Sequence, residues 1–464
     1  MKSVLEQAKR IHFIGIGGIG MSGIAELLVN LGYEVSGSDA QQTDITTRLG
    51  AMGARIFHEH DARHVADAEV VVYSSAIRSS NPEMKAARER GLSVVPRAEI
   101  LAELMRLREG IAIAGAHGKT TTTSMIALIL EIAGFDPTAV IGGRVNAFGS
   151  NARLGHGRYL VAEADESDRS FLKLAPRFAV ITNIDREHLE AYRDFDDLNA
   201  AFAQFANNVP ANGAVILCAD DPYLQALRGT IKARTVSYGL ETPADVSAKN
   251  LQMKGFGSVC TVEIREPDGA QVPLGELRLA VPGRHNVLNA LAAIAMAREL
   301  GIAFDDSARS LGAFQGAERR FQRHGEVRGV VVVEDYGHHP TEIAAVVTAA
   351  KPIAEGRLIV AFQPHRFTRT QALMGEFGPA FAGADVVVMT DIYGAGEDRI
   401  DGVTIDTLAA SMKGGFTGEL RLVPVLRDVP RALARISKAG DLIVVLGAGS
   451  IGAIPAAVLK ALES

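Results

Sequence analysis

A chain of 464 residues, 47% hydrophobic and 22% charged, has the composition of a soluble globular protein and the length of about three domains. Its 48 Lys+Arg against 54 Asp+Glu leave a net charge of −6, which gives no footprint for nucleic acid or an anionic membrane. The two cysteines, Cys218 and Cys260, exclude a disulfide framework and a paired zinc site. No run of about 18 apolar residues occurs, and Met1-Lys2-Ser3-Val4-Leu5-Glu6 lacks a signal core, so a cytoplasmic location with no membrane partner is expected.

Short β-branched runs alternate with amphipathic stretches, which predicts α/β architecture with parallel sheets. Ile11 to Ile14 is a strand, Met21 to Leu31 a helix, Tyr33 to Ser36 a second strand and Glu69 to Tyr73 another. The helical pattern from Glu99 ends in charges at Arg106 to Glu109, which sets a first boundary at 108/109. Strands at Ile111–Ala114, Tyr159–Ala162, Phe178–Ile181 and Ala214–Leu217 form a second unit. Its stretch from about Thr235 to Leu279 reads as small antiparallel strands, and Asn286 to Leu300 as a helix. A third unit starts near Ala317, with strands at Val330–Val333, Leu358–Ala361, Val386–Met389 and Leu442–Leu446. The expected domains are 1–108, 109–316 and 317–464.

Gly15-Ile16-Gly17-Gly18-Ile19-Gly20 follows a strand and opens a helix, with Asp39 at the end of the next strand. Such a turn lets the backbone approach a diphosphate at a helix N-terminus. The motif does not select NAD over other nucleotides, and a tight turn with no ligand is the plainer alternative. Gly447-Ala448-Gly449-Ser450-Ile451-Gly452 repeats the spacing without an acidic partner and reads mainly as a close-packed turn.

Gly115-Ala116-His117-Gly118-Lys119-Thr120-Thr121 is the strongest local signal. Ile113 replaces the first glycine of a full Walker A motif, yet the chemistry survives. Backbone N–H groups can cradle phosphates, Lys119 can neutralise them and the Thr120 hydroxyl can hold Mg²⁺. Glu163-Ala164-Asp165-Glu166-Ser167-Asp168 ends a strand where a P-loop enzyme keeps its metal-holding acid, although such a loop can also be merely solvated. His188 ends the stretch Thr182 to His188 beside it, as a ligand or a structural histidine. In the third unit, Asp335 to Pro340 and Gln363 to Arg369 follow strands, at ligand-binding ends of a sheet. Arg366 and Arg369, at i, i+3, can clamp a carboxylate or solvate a helix face.

The order of these motifs resembles the Mur ligases, the ATP-dependent amino-acid ligases of peptidoglycan synthesis, over nearly the whole chain. Gly283 to Asn289 and Arg319-Arg320-Phe321 add to the likeness. The resemblance implies three α/β domains: an N-terminal Rossmann-like domain for a UDP-sugar, a central P-loop ATPase-like domain and a C-terminal Rossmann-like domain for the amino acid. It is most like the alanine-adding branch. That branch joins L-alanine to the lactyl carboxylate of UDP-N-acetylmuramate through an acyl phosphate. The resemblance places Gly15, Gly17, Gly18, Gly20, Asp39 and Ser75 at the UDP-sugar. It assigns Gly115, Ala116, His117, Gly118, Lys119, Thr120, Thr121, His285, Asn286, Arg320 and Asp335 to ATP. Thr120, Glu163 and His188 would hold Mg²⁺, with Mn²⁺ as a substitute. Tyr336, His338, Arg366 and Arg369 would face the amino acid, and Lys119, Glu163, His188 and His338 would carry the catalysis.

Several Mur ligases carry a carbamylated lysine some fifteen residues beyond this histidine. No lysine lies between Lys173 and Lys232 here, and Ala203 is near the expected place. The alanine-adding branch is similar in lacking it. A related ligase that re-attaches recovered murein peptide to the same UDP-sugar is the nearest alternative. An NAD-dependent oxidoreductase would leave Gly118-Lys119-Thr120 idle, and a non-catalytic nucleotide-binding regulator would leave the strand-end acids idle. Oligomeric state is open.

Overall fold

The computed structural model describes residues 4–74, 77–145, 150–187 and 191–464. Among these residues the strands form three sheets. By compactness the chain divides into two units: Met1–Lys249 with Thr261–Leu277 and Leu288–Phe314, and Asn250–Cys260 with Arg278–Val287 and Gln315–Ser464.

In the first unit, a five-stranded sheet runs in the order Arg55–Phe57, Glu34–Ser38, Arg10–Ile14, Val70–Tyr73, Ser93–Pro96. All its pairings are parallel. Covering helices make the central strands buried on both faces, hence the near-continuous apolar runs Ile11 to Ile14 and Val70 to Val72. The strand order reverses beside Arg10–Ile14, and such a switch point opens a crevice at the strand C-termini. The first glycine loop begins there, immediately after Ile14.

The second sheet centres on Glu109–Ala114, flanked by Phe178–Ile181 on one side and Tyr159–Glu163 on the other, all parallel. Ala214–Cys218 and Arg234–Gly239 continue it in parallel. This corrects the expected antiparallel reading at its first strand: Arg234–Gly239 is the next parallel strand of the α/β sheet, and Val246–Lys254 also starts parallel to it. Gly257–Arg265 and Gln271–Leu279 then extend the sheet. The two-residue link between Val246–Lys254 and Gly257–Arg265 is too short for a parallel crossover, so the antiparallel expectation holds there. On the other edge, Thr138–Val145 and Ser150–Arg153 pair antiparallel. Ala203 lies in the helix Phe195–Asn207, where its carbonyl accepts from Asn207.

The second unit holds a six-stranded sheet ordered Gln322–Val327, Val330–Asp335, Leu442–Leu446, Leu358–Phe362, Val386–Met389, Glu419–Leu422. Only the edge strand Gln322–Val327 is antiparallel. One face packs Val333, Val360, Phe362, Phe377, Phe381 and Leu446, and the other packs Val332, Ile359, Val445, Leu433 and Val458. Burying both faces leaves the strand ends as the places where polar side chains can gather.

Among the described residues, no helix is long and apolar enough to cross a membrane. Both cysteines are buried, and neither forms a disulfide.

Candidate active site

Two helices of the first unit start directly from glycine loops, and neither has a side-chain cap. Ile19–Asn30 follows Gly18, and Lys119–Ile132 follows Gly118, whose φ is +83°. The helices at Asp44, Pro82 and Pro222 instead open with Thr43, Asn81 and Asp221 as caps. An uncapped helix N-terminus keeps N–H groups and the positive dipole end for an anion.

The central loop is held by the neighbouring strand end. Asn183 grips His117 on both sides: its Oδ1 accepts the His117 N–H at 2.8 Å and its Nδ2 donates to the His117 carbonyl at 3.0 Å. The Thr182 hydroxyl donates to the same carbonyl at 2.6 Å. The His117 ring lies 2.8 Å from Asp185. A Cβ at Gly118 would stand 2.6 Å from Asn289 Oδ1, and one at Gly115, with φ +131°, would collide with Thr182. These glycines are therefore dictated by close approach and backbone conformation together.

Lys119 points back into this loop. Its Nζ donates to the carbonyls of Gly115 at 2.6 Å and Ala116 at 3.2 Å and pairs with Glu166 at 2.8 Å. Burial alone would lower its pKa, but Glu166 and then Asp165 outweigh that, so the ammonium is held above its ordinary range. Three acids of the Glu163 to Asp168 run take separate partners. Glu163 faces Thr120, with Oγ1 to Oε2 at 3.3 Å, while its other oxygen accepts the Gly142 N–H at 2.6 Å. Asp165 pairs with Arg97, and Glu166 holds Lys119. Burial raises the pKa of Asp165, but Arg97 and Lys119 overcome it and keep the carboxyl ionised.

The donor set suits Mg²⁺. A hydroxyl and a carboxylate oxygen at 3.3 Å match neighbouring positions of an octahedral ion, whose ~2.1 Å bonds put adjacent ligands about 3 Å apart. His188, expected as a further ligand, and Ser75, expected at the UDP-sugar, lie outside the described residues.

In the first loop, Asp39 braces the turn. Its Oδ2 accepts the Gly17 N–H at 2.9 Å and its Oδ1 the Gln41 N–H at 3.0 Å. Gly15 and Ile16 donate to the Ser38 carbonyl, and Gly18 to the Gly15 carbonyl. Arg97 occupies the space a side chain at Gly20 would need, which brings a cation to the first turn of that helix.

The second unit gathers its own cluster. Asp335 is buried and accepts N–H bonds from Phe321 at 2.8 Å and Gly337 at 2.7 Å. Burial, only partly offset by Arg320, raises its pKa to about 6. Burial, with Arg320 adding to it, lowers His285 to about 4, so the imidazole is neutral. Asn286 donates to the Pro282 carbonyl at 2.7 Å. Arg320 stacks over Tyr336 and lies 3.6 Å from Glu342. Glu342 in turn accepts the His338 N–H at 3.0 Å. The rings of Tyr336 and His338 meet edge-on at 5.6 Å, and His365 follows at 5.4 Å. Arg369 Nη1 is 3.1 Å from His365 Nδ1. Arg366, with φ +67°, donates its N–H to Tyr393. Thus His285, Arg320, Asp335, Tyr336, His338 and Arg369 share one neighbourhood, with Arg366 on the same strand-end segment as His365 and Arg369.

The second glycine turn is filled from within. Gln363 Oε1 accepts the Ile451 N–H at 2.9 Å, and Arg319 donates to the Gly447 carbonyl at 2.8 Å. Sequence reasoning left Asn183, Glu166, Arg97, His365 and Glu342 without roles. Asn183, Glu166 and His365 lie inside the quoted motifs, whereas Arg97 and Glu342 do not, and only the fold shows what each one touches.

Three family models match in succession: the Mur ligase family catalytic domain over residues 10–109, the Mur ligase middle domain over 113–297 and the Mur ligase glutamate ligase domain over 319–449. This chain belongs to the Mur ligase family. A curated relative from Syntrophus aciditrophicus, a UDP-N-acetylmuramate–L-alanine ligase, is 49% identical over 457 residues, covering 98% of this chain and 94% of its own. The solved UDP-N-acetylmuramate–alanine ligase of Thermotoga maritima is similar with a TM-score of 0.83 and 30% identity, covering 98% and 99% of the two chains. A murein peptide ligase from Psychrobacter arcticus has a TM-score of 0.74 and 26% identity over 98% and 99%. The fold is accordingly the three-domain α/β layout of a Mur ligase, with Rossmann-like outer domains.

Proposed function

We propose that this Mur ligase joins L-alanine to the lactyl carboxylate of UDP-N-acetylmuramate at the expense of ATP, in the synthesis of the peptidoglycan precursor. The observation that carries this reading is the near-full-length likeness to alanine-adding relatives at about half identity, on a chain whose glycine loop presents Lys119, Thr120 and Glu163 together. Re-attachment of murein peptide has less support, since that neighbour is less similar in both sequence and structure.

In this reading residues 1–108 bind the UDP-sugar, 109–316 bind ATP and 317–464 bring the amino acid. Gly15, Gly17, Gly18, Gly20 and Ser75 surround the diphosphate and sugar, with Asp39 bracing the turn. Gly115 to Thr121 wrap the ATP phosphates, and His285, Asn286, Arg320 and Asp335 complete the nucleotide site. Tyr336, His338, Arg366 and Arg369 receive L-alanine. The location is the cytoplasm, and the product feeds cell-wall biogenesis and hence cell shape and division.

A carboxylate is a poor acyl donor, so a lactyl oxygen first attacks the γ-phosphorus of ATP as the bond to the ADP oxygen breaks. The alanine amine then adds to the acyl carbon and loses a proton, and phosphate leaves as the amide forms. The first step brings two anions together. Lys119 leaves the Gly115 and Ala116 carbonyls to meet the transferring phosphoryl, and Glu166 keeps the lysine charged until it does. Thr120, Glu163 and His188 would hold Mg²⁺ (or Mn²⁺), which when bound supplies charge neutralisation between carboxylate and phosphate. Arg366 and Arg369 fork the α-carboxylate of alanine, and His338 stands near its amine.

Phosphate release from Mg-ATP and UDP-N-acetylmuramate, measured with each of the twenty amino acids in turn, tests the reading. L-Alanine should give the highest kcat/KM. Release driven equally well by a murein tripeptide or tetrapeptide would replace it with the alternative.

A further inference from the structure

Beneath the first glycine loop lies a buried cluster that the proposed reaction does not use. Glu83, on the first turn of the helix Pro82–Glu89, is fully buried. Its carboxylate accepts from the Ser38 hydroxyl at 2.6 Å. His60 Nδ1 lies 2.9 Å from it, His64 Nδ1 3.0 Å and His12 Nε2 3.4 Å. These histidines have further partners of their own. His12 Nδ1 is 2.9 Å from Ser36 Oγ, and the His64 ring stacks on Phe57 at 3.8 Å. Burial by itself would raise the Glu83 pKa, but the bonds from His12, Ser38 and His60 outweigh it and lower it to about 2. A buried carboxylate is tolerated only when its lone pairs are met in this way.

The cluster reaches the loop through Ser38. Ser38 gives its hydroxyl to Glu83, while its carbonyl accepts the Gly15 N–H at 2.8 Å and the Ile16 N–H at 3.0 Å. The next residue, Asp39, accepts the Gly17 N–H. The end of the strand Glu34–Ser38 is therefore pinned on one side by Glu83 and sets the glycine turn on the other.

We propose that Glu83 is a positioning residue for the UDP-sugar, acting through Ser38 to hold the Gly15 to Gly20 turn in its binding conformation. This rests on the reading of that turn as the diphosphate site. Glu83 touches no substrate. Its work is done before binding, by removing the freedom of a turn that would otherwise have to be ordered by the ligand.

The test is the affinity of the full chain for UDP-N-acetylmuramate by calorimetry, beside steady-state kinetics. Glu83→Gln should raise the Kd for the UDP-sugar about tenfold, since a charged acceptor becomes a neutral one in a buried network. At saturating sugar, kcat and the KM values for ATP and alanine should stay within about twofold of wild type. Ser38→Ala should shift the same Kd in the same direction, and the double variant should be no weaker than Glu83→Gln alone, because both changes cut one connection. Ser38→Thr, which restores the hydroxyl, should recover most of the affinity.

A wild-type Kd in Glu83→Gln, a lower kcat at unchanged Kd, or independent effects in the double variant would overturn the proposal. Should Glu83→Gln not fold, Ser38→Ala with wild-type affinity overturns it alone. Gly17→Ala separates the two levels, because its Cβ would press on Asp39. Unchanged affinity there removes the diphosphate reading and this proposal with it. Weakened affinity there, with Glu83→Gln unaffected, removes only the role of Glu83.

Discussion

At the scale of single residues, the ion pair of Lys119 and Glu166 has the clearest consequence. Glu166 is almost wholly buried, so deleting Lys119 takes a cation away from a buried carboxylate and, in the proposed reaction, from the transferring phosphoryl group. Lys119→Ala should cut kcat by at least roughly 10³-fold, a charge contact in a dry site being worth several kcal/mol. It should also lower the melting temperature, so turnover must be measured below that transition. Folded protein with near-normal kcat would remove Lys119 from the mechanism. The arginines offer a second residue-scale test. A planar guanidinium matches a carboxylate bidentately, whereas an ammonium is a point charge. Arg366→Lys or Arg369→Lys should therefore raise the KM for alanine much more than that for ATP. Arg369 already lies against His365, so its loss should also disturb the ring series His365, His338, Tyr336. Unchanged alanine kinetics in both variants would make this pair a solvated face.

At the scale of elements, neighbouring strand ends hold the glycine loops in place. The strand Phe178–Ile181 runs straight into Thr182 and Asn183, and parallel pairing with Glu109–Ala114 delivers both side chains to the loop at His117. Asn183→Ala removes a two-sided grip on one residue, His117. Its expected effect is a rise of about tenfold in the KM for ATP, with a smaller change in kcat, since the loop must then be ordered by the nucleotide. Equal KM values would show that Thr182 and the glycines suffice. The turn Gly447 to Gly452 has the spacing of Gly15 to Gly20. There the neighbouring strand end supplies Gln363, which consumes the Ile451 N–H, and Arg319 consumes the Gly447 carbonyl. The same glycine spacing thus meets different partners, Ser38 and Asp39 at Gly15 to Gly20 and Gln363 and Arg319 at Gly447 to Gly452.

At the scale of the whole molecule, the proposed reading gives each of three α/β domains one substrate, at the C-terminal ends of its parallel strands. The proposed chemistry demands order between them. ATP must not be split before the lactyl carboxylate is present, because an idle phosphoryl transfer to water would waste it. Phosphate release from Mg-ATP should therefore stay near background without UDP-N-acetylmuramate. With the sugar present and hydroxylamine replacing alanine, an acyl hydroxamate should accumulate. Brisk hydrolysis with ATP alone, or no hydroxamate from active enzyme, would count against an acyl phosphate.

The sequence by itself determined the fold class, the strands of the three sheets' centres and the P-loop. These rest on local signals: apolar runs long enough for doubly buried strands, and glycines at turns that no side chain could enter. It also determined the family, because eight motifs in one order are far more specific than any one alone. Only the tertiary structure decided that Arg234–Gly239 is a parallel strand, since its period does not reveal its partner. The division of labour among Glu163, Asp165 and Glu166 was likewise illegible, because three carboxylates in four residues look alike until Thr120, Arg97 and Lys119 arrive from elsewhere. Glu83 carried no motif at all. Its place is set by His12, Ser38, His60 and His64, and contacts so far apart along the chain exist only after folding.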